Sequence, residues 1–169
     1  DDVTAYVVYE NGATGTFITS TGDVPGTNRF EILLEGRKLL AEDGKLTLWK
    51  LNMFEKEFSK TTTVAFSAPE IEKIEVETDG KNEQHVGVLN AFAGAILRNE
   101  PMVADGREGI NGLTISNALH LSAFLGKEIV VKDFDHDLFY EELSKRIKTS
   151  KRKTNVREST ASDMGASFK

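Results

Sequence analysis

The sequence has 169 residues, 39% apolar and 28% charged, with a formal net charge of -6. This is an ordinary globular balance, long enough for a real core, with no run of membrane-spanning length and no visible signal peptide. The absence of cysteine excludes disulfides and thiolate metal sites and permits a reducing compartment. A cytoplasmic location is the expectation.

The charge is uneven. From Lys145 onward eight Lys/Arg stand against two Asp/Glu, leaving thirteen against twenty-five before it. An acidic body argues against a nucleic-acid surface. The basic end reads as helix C-terminal charge followed by a solvated tail.

The chain opens on Asp1-Asp2, without an initiator methionine, and enters a β-rich stretch from Val3 to Tyr9. A processed chain, or a piece of a longer protein, is the expectation. Asn11-Gly12 is a strong hairpin signal, with Ala13 to Thr21 as the return strand. A looser stretch, Gly22 to Asn28, precedes a strand at Arg29–Glu35, where Phe30, Ile32 and Leu34 share one face. Gly36 turns the chain into Lys38–Glu42, and Asp43-Gly44 turns it again into Lys45–Leu51. Residues 52–70 carry no clear period. Ile71 to Glu77 alternates and ends at the tight turn Asp79-Gly80.

Helices follow. Glu83 to Arg98 places Leu89, Phe92, Ala93 and Ile96 on one face, with Asn82 as cap and Pro101 blocking continuation. A second helix begins after Asp105, where Asp105 and Glu108 have capping-box spacing, and ends at Gly126. Its broad apolar surface predicts burial on most sides. Gly109 and Gly112 predict close approach to a neighbouring backbone. A short strand is expected at Glu128–Val131. The last helix, Asp137 to Thr149, orders its acids before its bases and offers the pairs Glu141–Lys145 and Glu142–Arg146.

Strands first and helices after predict an α+β fold: an open, mainly antiparallel sheet of about six strands, with helices packed on one face. Apolar side chains point to both sides of the sheet, so the free face predicts a homo-oligomer. The domain spans 1–149, and 150–169 reads as a basic, flexible or docking tail.

Chemical motifs are sparse. There is no Gly-x-Gly-x-x-Gly after a strand, no Walker loop and no Gly-x-Ser-x-Gly elbow. His85 shares a face with Leu89, Phe92 and Ile96, His120 lies inside the second helix, and His136 sits at a helix start between two aspartates. These placements read first as structural. No ligand set has zinc spacing. Asn111, Asn117 and His120 read as a buried polar network. No catalytic, cofactor-binding or metal residue is expected within this chain.

The order of these pieces resembles the C-terminal domain of the glucose–fructose oxidoreductase / inositol dehydrogenase (Gfo/Idh/MocA) family. The similarity rests on Asp2-Val-Thr-Ala-Tyr-Val-Val-Tyr-Glu-Asn-Gly-Ala13, on Asn28-Arg-Phe-Glu-Ile32 with Gly36 after it, and on His85 to Ile96. It continues through Glu100-Pro101, Ala104-Asp-Gly-Arg-Glu-Gly109 and Ser122 to Gly126, and closes on Phe134 to Leu143. It covers about residues 1–150.

The resemblance implies a parent oxidoreductase acting on a sugar, inositol or similar polyol. In that family an N-terminal Rossmann domain binds NAD or NADP and carries a Glu-Lys-Pro lysine, with a downstream Asp and His completing proton transfer. None of these elements lies in this sequence, so the fragment alone is expected to be inactive. Its implied partners are its own Rossmann domain, the polyol, and further copies joined through the sheet face. By the same resemblance, the loop Thr21 to Asn28 approaches substrate, with Thr27 and Asn28 as hydroxyl and amide partners and Arg29 and His85 as further candidates. The alternative is a stand-alone, non-catalytic dimerisation or interaction module.

Overall fold

Tight turns set the local architecture. The computed structural model describes residues 2–81, 83–102 and 104–151. Strands β1 (Asp2–Val8) and β2 (Thr14–Ser20) form an antiparallel ribbon. The Asn11-Gly12 turn closes it: the Gly12 amide donates to the Tyr9 carbonyl at 2.8 Å, and Gly12 takes φ +83°. Strands β3 (Arg29–Leu34), β4 (Arg37–Glu42), β5 (Lys45–Leu51) and β6 (Ile71–Val76) form a four-stranded antiparallel meander in that order. Leu34 pairs with Arg37 and Glu42 with Lys45, so both linking loops have two residues. Asp43 and Gly44 both take positive φ, 51° and 72°, the backbone whose twist matches a hairpin.

The fold is α+β with an open antiparallel sheet, as expected. Its six strands, however, divide into sheets of two and four. A two-residue turn dictates which strand is the neighbour. The longer loop between β2 and β3 does not, so the pairing across it is unspecified locally.

The register sorts the four-stranded sheet into two unlike faces, because directly opposed residues point the same way. One face carries the rows Phe30–Ala41–Leu46–Val76 and Ile32–Leu39–Leu48–Ile74. The other carries Arg29, Glu31, Lys38, Glu42 and Trp49, with Leu33 and Leu40 among them. Lys38 and Lys73 flank the Trp49 ring, their ammonium groups 5.6 and 6.0 Å from its centre. Apolar groups thus point both ways, as the sequence predicts. On edge strand β3 all six residues are exposed.

Residues 52–70 hold a short helix, α1 (Glu55–Thr61). Helix α2 (Gln84–Arg98) follows β6 and ends at Asn99 in the left-handed region. The expected cap, Asn82, lies outside the described residues. The predicted stripe of α2 is exposed: Leu89 66%, Phe92 54%, Ile96 67%.

By backbone contacts the chain divides between residues 103 and 104 into two compact units. The second is a helical hairpin. Asp105 accepts from the Arg107 amide at 2.9 Å and starts a 3-10 turn, Gly106–Glu108, that leads into α3 (Gly109–Leu125). Gly126 ends α3 with φ +62°, as predicted. The expected strand at Glu128–Val131 is absent; a 3-10 turn at Val131–Asp133 occupies the link instead. Val130 and Val131 favour extended backbone, but a strand needs a strand to pair with, and among the described residues none pairs with this segment. Helix α4 (His136–Thr149) is capped by Asp135, which accepts from the Leu138 amide at 2.9 Å.

The hairpin packs through Phe124 of α3 and Phe139 of α4, stacked with centres 6.3 Å apart. Arg146 lies 3.9 Å over the Phe124 ring and donates to the Phe124 carbonyl at 3.0 Å. Among the described apolar side chains only Ala118 and Leu121, both on α3, are buried, Leu121 completely. The first turns of α3 are open, with Ile110, Leu113 and Ile115 exposed. Among the described residues, none outside the local helix turn comes within 4 Å of a Cβ built at Gly109 or Gly112, so the predicted close approach is not made among them.

Candidate functional site

Three of the four residues proposed for the substrate side are consecutive. Thr27 and Asn28 end the loop from Gly22, and Arg29 is the first residue of β3. The loop is exposed throughout. At its start Ser20 Oγ bonds Asp2 across the ribbon and accepts from the Gly22 amide at 3.0 Å. Gly26 takes φ +99°, a conformation that side-chain-bearing residues rarely adopt, and the bend sets Thr27 and Asn28 just before the sheet. The hydroxyl of Thr27 and the amide of Asn28 can each donate to and accept from a polyol.

Arg29 is held by neighbours. Its guanidinium donates to Glu31 at 2.6 Å and to Glu42 at 3.4 Å. Lys38 pairs with Glu31 at 2.8 Å, so two cations and two carboxylates form a ladder across β3 and β4. Hydrogen bonds from Lys38 and then Arg29 hold the Glu31 carboxyl below its ordinary range. The hydrogen bond to Glu31, aided by the nearby charge of Glu42, raises Arg29. This arrangement orients Arg29 along the charged sheet face and neutralises it there.

His85 stands apart, in the first turn of α2, where the Gly87 amide donates to the Glu83 carbonyl at 3.1 Å. It is exposed, on a different element from the other three.

Two shallow hollows lie elsewhere in the same unit, of about 330 and 350 Å³. They share Asn52 and Glu70, and the first is lined also by Phe58, Thr61 and Thr62. Asn52 donates to Glu70 at 3.2 Å, while Thr61 bonds the Glu57 carbonyl and Thr62 bonds Ser67. These groups satisfy one another rather than converging on an open point. The sequence gives no sign of the hollows, because 52–70 lacks periodicity. Among the described residues no group of three or more His, Asp or Glu is placed to hold a metal ion, and no helix is long and apolar enough to cross a membrane.

Compared with known protein families and with curated proteins, the sequence matches none.

Proposed function

We propose that this chain is the substrate-side and oligomerisation domain of a cytoplasmic, NAD- or NADP-dependent oxidoreductase of the Gfo/Idh/MocA type, acting on a sugar, inositol or similar polyol. The order and spacing of the sequence blocks from Asp2 to Leu143 carry this reading. A Rossmann domain supplies the cofactor and the proton-transfer residues, and this chain supplies a sheet, a loop and an oligomer contact. The open antiparallel sheet and the exposed loop before β3 are the architecture such a role requires.

In this role Thr27 and Asn28 hydrogen-bond the polyol, Arg29 braces the loop end through Glu31 and Glu42, and His85 contributes from α2. Nicotinamide supplies hydride chemistry when it is bound by the Rossmann domain. The exposed apolar residues of β3 favour a second reading, a non-catalytic interaction module that associates through its sheet.

Reading the coding frame upstream of the Asp1 codon tests the assignment. A Gly-x-Gly-x-x-Gly fingerprint followed by Glu-Lys-Pro is expected. A start codon immediately before Asp1 overturns the oxidoreductase reading and leaves the interaction module. In the assembled enzyme, Thr27→Ala with Asn28→Ala should raise KM or lower kcat by about tenfold, the loss of roughly 1.4 kcal/mol of transition-state stabilisation. Unchanged kinetics with inositol and glucose as probes would remove both residues from the site.

A further inference from the structure

We draw no further inference here: the strongest candidate, the apolar face of the four-stranded sheet around Phe30, Ile32, Leu39 and Leu48, belongs to the oligomer contact already proposed, and nothing in the structure shows what else covers it.

Discussion

Arg146 ties α4 to α3 in the helical hairpin. It donates to the Glu142 carboxylate at 2.8 Å and to the Phe124 carbonyl at 3.0 Å while lying over the Phe124 ring. Arg146→Ala should cost about 1–2 kcal/mol, combining a partly desolvated cation–π contact with lost hydrogen bonds. Arg146→Lys should fall between, because a lysine keeps the charge but not the planar fork. Urea titrations followed by helical circular dichroism will read both; an Arg146→Ala midpoint equal to wild type would refute the tie. The sequence predicts the Glu142–Arg146 pair by spacing alone. Lys145, however, bonds Glu142 at 2.6 Å rather than Glu141, a choice of rotamer that spacing does not set. Hydrogen bonds from Lys145 and then Arg146 lower the Glu142 pKa. A lowered folded-state value contributes stability that is present above the ordinary glutamate range and lost as pH falls through the folded value. The hairpin should therefore weaken on acidification below the ordinary glutamate range, and Glu142→Gln should flatten that acid limb. Lys145 faces solvent, so salt should blunt its share of the effect, whereas the half-buried Glu142–Arg146 pair is screened less. An acid limb as steep in Glu142→Gln as in wild type would assign it to other carboxylates.

Turns and caps test the elements. Gly36 and Gly44 both need positive φ, 71° and 72°, but they differ in surroundings. Among the described residues a Cβ at Gly44 meets nothing within 4 Å beyond its chain neighbours, whereas one at Gly36 would sit 2.8 Å from the Phe54 ring. Gly44→Ala should cost about 1 kcal/mol for left-handed backbone alone. Gly36→Ala should cost more, and Phe54→Ala should erase the excess in a double-mutant cycle. Equal costs in the wild-type background would show that the ring simply moves aside. Leu121 is 1% exposed, and Leu121→Ala should cost about 2–5 kcal/mol, seen as a lowered Tm of the helical signal. A change within error would mean that the hairpin does not rest on that side chain. At this scale the sequence was most legible where one short motif decides the outcome. Asn11-Gly12, Asp43-Gly44 and the stop at Gly126 each form locally, from residues that tolerate left-handed backbone. It was least legible where partners are distant. Val130 and Val131 read as strand because they are β-branched, and Gly109 and Gly112 read as a contact because glycine in a helix is costly. Neither reading contained the neighbour it required.

For the whole chain, the α+β class followed from the order of periodicities, whereas the division into two sheets did not. The candidate site was legible only through resemblance. Thr27 and Asn28 have no intrinsic signature, and the ion ladder that holds Arg29 depends on the register of β3 with β4. Sheet-face association gives the matching test. Sedimentation at micromolar concentration should report more than a monomer, and Ile32→Asp or Leu48→Lys, on the apolar face, should shift the chain toward monomer with little change in hairpin helicity. A monomeric wild type would remove the oligomer from the proposal. The two-residue loops of the meander bear on a different property. They let β3, β4 and β5 find each other across very short chain separations, with little loop-closure entropy and on the microsecond scale of single hairpins. During synthesis this segment can zip before α2 has left the ribosome, showing Phe30 and Ile32 to the crowded cell early. The charges on its reverse side then act as gatekeepers against premature aggregation.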